Sequence, residues 1–307
     1  MPQNLLSLVT AELTAPADPR AAAMAGALAA QYPDAARAVL FYGSCLREKN
    51  LDGLMLDFYL IVSDYRAAYG KSWLAGANRL IPPNVFPFEH NGLMAKYAVL
   101  SEADFARLNS PAADNVSVWA RFAQPARLLW AADDLARQRA IAAVANAVPT
   151  LLDATMPMLS TNIAYKMLDI WRAAFALTYN AELRAERKGR SVSIVDVEPD
   201  RYDRFGQAAL AEIAQRRGVG PGGEVANAMS PQRATTRWRQ LQRRGKFLSV
   251  VRLAKASFTY AGGIDYLAWK INRHAGAAIE IKPWQRRWPL IGALTLLPRL
   301  FRNGAIR

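Results

Sequence analysis

Hydrophobic positions change their period several times along this chain. From about Leu5 to Ala36 the apolar residues are mainly Ala and Leu and predict helix, broken at Pro16, Pro19 and Pro33. The run AVLFYGSCLRE then predicts a strand over Val39 to Tyr42 that ends in Gly43-Ser44. LMLDFYLIVSDY predicts a second strand of mixed aliphatic and aromatic residues. Two more strands are expected over Asn84 to Glu89 and Leu93 to Leu100, joined by the turn signal His90-Asn91-Gly92. From Glu102 onward apolar residues recur at three- and four-residue steps through Trp119, Phe122, Leu128 and the Ala-rich stretch 131–147, and helix is expected again from Asn162 to about Glu186. Lys188-Gly189 and the GVGPGG run at 218–223 mark loops. The expected architecture is α/β (α+β): a mixed, mainly antiparallel sheet domain over residues 1–105, a helical domain over 106–230 and a C-terminal region over 231–307.

Composition adds a charge asymmetry to this picture. The 307 residues are 52% hydrophobic and carry a formal net charge of +14. Residues 231–307 hold 16 of the 39 Lys+Arg and only 2 of the 25 Asp+Glu, so the preceding residues are balanced and the whole excess sits in the last quarter. Such an asymmetry points to a polyanionic partner, either nucleic acid or an anionic membrane. The single cysteine, Cys45, excludes an internal disulfide and a Cys-based zinc site, and two histidines, His90 and His274, exclude a His-rich metal site. No signal peptide is expected from MPQNLLSLVTAEL, and no apolar stretch of the ~18–20 residues needed to cross a bilayer is expected either.

The chemistry is expected where the first strand meets the second. A Gly-Ser turn that leaves a strand and opens a helix presents backbone N–H groups, a hydroxyl and a positive helix end to a phosphate. Asp57, about a dozen residues on and inside a strand, can hold Mg²⁺ against such phosphates. Gly43, Ser44 and Asp57 together resemble the signature of polymerase-β-type nucleotidyltransferases, although Tyr59 stands where the general pattern has a second acid. An ordinary turn followed by a polar strand residue is the plainer account of the same spacing.

The longer run FYGS…LMLDFYLIVSD resembles the mitochondrial-type CTP:phosphatidate cytidylyltransferase family, whose members carry a YGS turn, a (M/I)(L/I)DF strand and a nearby second Asp. Asp64 falls on that second Asp, and Tyr59 is expected in this family. AKYAVLSEADF is similar to the family's KYGVIS segment, RFAQPARLL to GRLQKPVKIL, LTYNAELR to LSYSGDFR, and KASFTYAGG to KGIFTAG. The chain lacks the family's Trp-His and His-Tyr pairs after the metal strand. The resemblance implies a polymerase-β-type sheet domain followed by a helical domain and a basic extension. It also implies the reaction of CTP with phosphatidate to give CDP-diacylglycerol and pyrophosphate, with Mg²⁺. Carried over by position, it implies a metal role for Asp57, catalytic roles for Asp57, Ser44 and Asp64, and substrate contacts from Gly43, Ser44, Lys96, Arg121, Tyr179, Glu182, Arg184 and Lys255. Phe258, Thr259 and Gly262 are placed comparably. The nucleophile would be a phosphate monoester, already anionic at neutral pH with a second pKa near ~6, so no strong general base is required.

In the C-terminal region, RWRQLQRRGKF is dense in Arg, and KPWQRRWPLIGALTLLPRLFR mixes Trp, Arg and short apolar runs. That composition suits the headgroup boundary of an anionic membrane, and the expected location is peripheral, on the cytoplasmic face of a bacterial inner membrane. Nucleic acid is not the expected partner, because the LIGAL run at 290–294 has no role on a phosphodiester. A polymerase-β-type enzyme acting on RNA, or a basic nucleic-acid-binding protein, is the alternative.

Overall fold

The computed structural model describes residues 4–48, 50–70, 73–159, 164–182, 190–219, 229–259 and 281–284. Two helices open the chain, α1 (Leu5–Leu13) and α2 (Pro19–Ala30), each started by an acceptor side chain: Asn4 accepts from Ser7 N, and Asp18 from Arg20 N. β1 (Ala36–Tyr42) and β2 (Met55–Val62) follow, then the short helices α3 (Tyr65–Tyr69) and α4 (Trp73–Leu80). β3 (Asn84–His90) and β4 (Leu93–Ser101) form the expected hairpin about Asn91-Gly92, both at positive φ. Next come α5 (Glu102–Leu108), α6 (Trp119–Phe122) and β5 (Ala126–Ala131). The rest is helical: α7 (Asp134–Ala145), α8 (Ala147–Thr155), α9 (Met167–Ala181), α10 (Arg190–Val197), α11 (Pro199–Arg216) and α12 (Pro231–Thr259).

The five strands form one mixed sheet in the order β3-β4-β2-β1-β5. β1 is antiparallel to both β2 and β5, β3 is antiparallel to β4, and β2 and β4 run parallel. Strand alternation sorts the core into two layers. Val39, Phe41, Phe58, Leu60, Tyr97 and Val99 face α2 and pack with Met24 and Leu28. Leu40, Tyr42, Tyr59, Ile61, Ala98 and Leu100 face the opposite way, into a larger cluster with residues of α1, α5 to α9 and α11. Asp57 and Lys96 belong to this second face by register, one step before Tyr59 and Ala98.

Three expectations are corrected. β5 falls where a continuous helical pattern was read through Leu128, so the sheet takes an edge strand from beyond residue 105. Only two of its six residues, Ala126 and Leu128, are buried, and the Ala and Leu in ARLLWA are equally at home in a helix. The turn after Gly43 opens a single 3₁₀ turn, Ser44–Arg47, and the chain is extended again by Glu48, so no helix of useful length points at the turn. Third, the helical run Asp134–Met158 is long and apolar enough to cross a membrane by composition, but 72% of its most apolar 18-residue window is buried inside the body. It is a core helix pair.

The basic region is also packed further than its charge suggests. Ala234, Trp238 and Leu241 of α12 are buried, and Trp238 Nε1 donates to Ala154 O at 2.9 Å. Gly245 lets α12 cross the end of α9, since a Cβ there would overlap the Ala181 carbonyl. Arg237 donates to Pro111 O at 2.9 Å and Arg244 pairs with Asp114 at 2.5 Å. Residues 260–280 and 285–307 lie outside the described residues, and with them most of the Trp- and Arg-rich segment read as membrane-seeking.

Candidate active site

Antiparallel pairing of β1 and β2 places the last residue of β1, Tyr42, opposite Asp57, near the start of β2. Parallel pairing of β2 and β4 places Lys96 beside Asp57 on the other side. The Gly43-Ser44 turn, Asp57 and Lys96 therefore meet at one end of the sheet. Gly43 has φ 93°, a conformation that only glycine adopts without strain, and a Cβ on it would stand 3.0 Å from Asp57 Oδ2. The turn thus lies directly against the carboxylate. Ser44 is exposed at its outer edge, and Cys45 is buried, its thiol donating to Met55 O at 3.5 Å. Burial raises that thiol's pKa, so it contributes packing and not nucleophilicity.

Lys96 Nζ lies 2.9 Å from Asp57 Oδ1. The contact is an ion pair, and Oδ1 is otherwise shielded from water, with no further donor among the described residues. Arg121 of α6 sits over the Tyr42 ring, its Cζ 4.9 Å from the centroid. Burial opposes its charge, but the nearby carboxylates of Asp57 and Glu182 favour it, and its pKa is held above the usual arginine value. Burial raises the phenol pKa of Tyr42 and of Tyr59, so both rings stay neutral and form the apolar floor behind the carboxylate. Glu182, at the C-terminal end of α9, acts electrostatically on Tyr59, Arg121 and Arg252. Tyr179, one turn earlier, is half-buried against the larger core cluster.

The structure therefore brings together Gly43, Ser44, Asp57, Lys96, Arg121 and Glu182. It does not bring Asp64 to them. Asp64 follows the far end of β2 and caps α3, its Oδ1 accepting from Arg66 N at 2.7 Å and Ala67 N at 3.0 Å. Asp64 is seven residue steps along the chain from Asp57, about 23 Å at the usual strand rise. Arg184 lies outside the described residues.

Lys255 reaches the loop before β3, where Nζ donates to Ile81 O and, at 2.8 Å, to Pro83 O. Burial first, and Arg252 second, bring its pKa down from 10.5 to about 7. Between those two values the unfolded chain holds a proton that the folded chain has released, so stability rises with pH across the window. Below it the penalty is constant. Lys255→Met is expected to flatten the slope of Tm against pH there, and an unchanged slope would place the amine in water.

Arg252 is the residue that sequence reasoning missed. It sits on α12 with Nε donating to Pro82 O at 2.9 Å and Nη1 to Ser117 Oγ at 2.7 Å. The only signal was its position three residues before Lys255, on the same face of a helix.

Among the described residues no group of three His, Cys, Asp or Glu could hold a metal ion by itself. Asp57 does fit a cation that brings its other ligands, because Oδ2 borders the Gly43 turn while Lys96 holds Oδ1. Mg²⁺ commonly binds in this way, through one or two carboxylates and substrate phosphates. The chain matches no protein-family model and no curated protein sequence.

Proposed function

We propose that the chain is a nucleotidyltransferase of the polymerase-β type. More particularly, we read it as a cytidylyltransferase that makes CDP-diacylglycerol and pyrophosphate from CTP and phosphatidate. The observation that carries the class is the packing of the Gly43 turn on Asp57 at the end of an antiparallel strand pair, with Lys96 presented by the parallel neighbour. The choice of CTP and phosphatidate comes from the sequence resemblance.

In this reading the Gly43-Ser44 turn and Lys96 receive the triphosphate, and Asp57 would hold Mg²⁺ together with the nucleotide's phosphates. The ion supplies neutralisation of charge on the phosphoryl oxygens. The phosphate monoester oxygen of phosphatidate attacks the α-phosphorus of CTP, one P–O bond forms, the α–β P–O bond breaks and pyrophosphate leaves. The attacking oxygen carries no proton at neutral pH, which suits a cluster with no histidine. Lys96 and Arg121 stabilise the charge that moves to the leaving group. The tyrosine rings behind Asp57 lower the local dielectric and so strengthen these interactions.

A peripheral membrane location belongs to the same proposal. Leu80, directly before the Ile81–Pro83 segment gripped by α12, is 80% exposed, and Phe247 on α12 is 66% exposed. Exposed apolar side chains next to arginines suit a headgroup boundary.

The test is pyrophosphate release from CTP and from ATP, with and without short-chain soluble phosphatidate, and then with phosphatidate in anionic vesicles. Release is expected to need phosphatidate, to be faster with CTP, and on vesicles to fall as salt screens surface attraction. Comparable rates with ATP would remove the cytidylyl assignment, and release indifferent to phosphatidate would remove the lipid.

A further inference from the structure

Among the described residues, two buried guanidinium groups have nitrogens with nothing to bond. Arg252, fixed by Pro82 O and Ser117 Oγ, has an Nη2 that is shielded from water and meets no acceptor. Arg121, from a distant part of the chain, has an Nε in the same condition. A buried N–H without an acceptor costs about 1–3 kcal/mol, more when charged, and folded proteins carry few of them. Two on separate elements that converge on one place need an explanation.

They do converge. Ser117, to which Arg252 is bonded, lies in the turn that leads into α6, four residues before Arg121. An anion is the partner that would satisfy two cationic groups whose buried N–H atoms meet no acceptor among the described residues. Arginine suits the task, because its planar fork meets phosphate oxygens in a fixed geometry and stays charged when buried. With Nε and Nη1 of Arg252 anchored to the protein, the plane of the fork is set and Nη2 remains for a ligand.

We propose that Arg252 and Arg121 together form an anion-binding wall of this cleft that takes a phosphate group, so that α12 completes the site as well as supplying basic charge. This rests on the reading of the cleft as a place where phosphates are handled. The phosphate belongs either to the nucleotide's polyphosphate or to the lipid headgroup, and the chemistry of recognition is the same.

Calorimetric titration of the full chain with inorganic pyrophosphate and, separately, with short-chain phosphatidate distinguishes the two sources. Arg252→Gln is expected to weaken at least one Kd about tenfold or more, and Arg252→Lys to recover part of the loss. The anion that is weakened names the source. Because Arg252 also holds α12 on the body, the wild-type chain gives a second readout that needs no variant: the ¹⁵Nε–H resonances of Arg252 and Arg121 should shift when the same anion is added. No binding of either anion, unchanged Kd values in Arg252→Gln, or an unmoved Arg252 resonance at saturation would each overturn the proposal. Binding that depends on Arg252 in a protein without CTP turnover would keep this inference and reject cytidylyl transfer. CTP turnover with anion binding indifferent to Arg252 would do the reverse.

Discussion

Asp57→Ala is expected to lower CTP-dependent turnover at least about a thousandfold while the protein stays folded. A carboxylate that holds a catalytic Mg²⁺ contributes several kcal/mol to the transition state, and each ~1.4 kcal/mol is a factor of ten in rate. Among the described residues no other acid is placed to substitute: Asp64 lies at the opposite end of β2, where it caps a helix, and Glu182 acts on Arg121 and Arg252. The fold should tolerate the change because Asp57 makes one ion pair at the rim of the sheet and Oδ1 meets no further donor among the described residues. Asp57→Asn is the matched control, since it keeps the volume beside Gly43 and removes only the charge. Initial rates of pyrophosphate release across a Mg²⁺ titration, with circular dichroism as the folding check, decide the matter. Near-normal rates in either variant would show that the carboxylate is not the metal ligand.

The parts of this fold that could be read from the sequence are those whose period is unambiguous. β1, β2 and the β3–β4 hairpin alternate or run apolar between clear turn signals, and the structure keeps them within two or three residues of their expected bounds. β5 was not legible, because an edge strand with four half-buried residues carries little alternation and its Ala and Leu also fit a helix. In α12 a legible pattern was masked by charge. Ala234, Trp238, Leu241 and Gly245 recur at steps of four, three and four residues, the stripe of a helix that packs against a body. Eight basic residues interleaved with that stripe made the segment look like an extension, yet Arg237, Arg244, Arg252 and Lys255 turn to backbone oxygens, an aspartate and a serine of the body.

The site divides along the same line. Gly43 and Asp57 were legible because their roles are local: a strand end that needs a positive φ and a carboxylate one strand away. The pairing of Lys96 with Asp57 depends on β2 and β4 being parallel neighbours with another helix pair and strand between them, and no spacing in the sequence states that register. Asp64 was drawn to the site by resemblance, although its physical signature was also present: an Asp that ends a strand and precedes a helical turn is an N-cap.

The largest effect on stability is expected at Arg201, well away from the carboxylate. This side chain is 6% exposed and makes a two-pronged ion pair with Glu12, Nε to Oε2 at 2.5 Å and Nη2 to Oε1 at 2.9 Å. Its remaining nitrogen, Nη1, donates to Ala123 O at 3.1 Å, and its Cζ stacks 4.3 Å from the Phe205 ring centroid. The pair ties α1 to α11, and the third bond ties both to the residue two places after Arg121. Arg201→Ala leaves Glu12 half-desolvated with no partner, and breaking a buried pair from one side costs about 3–5 kcal/mol. That is a large share of a typical domain stability of about 5–15 kcal/mol. Replacing both partners by apolar residues of similar size should recover most of the loss, because the desolvation cost of both charges is then removed together. Chemical unfolding of Arg201→Ala, Glu12→Leu and the combined Glu12→Leu/Arg201→Met chain gives the coupling directly. The combined chain should stand well above either single variant in stability, and the C-terminal end of its α6, without the Ala123 contact, should be looser than in the wild type by hydrogen exchange. A loss in the combined variant equal to the sum of the two single losses would mean that Glu12 and Arg201 do not act as a unit.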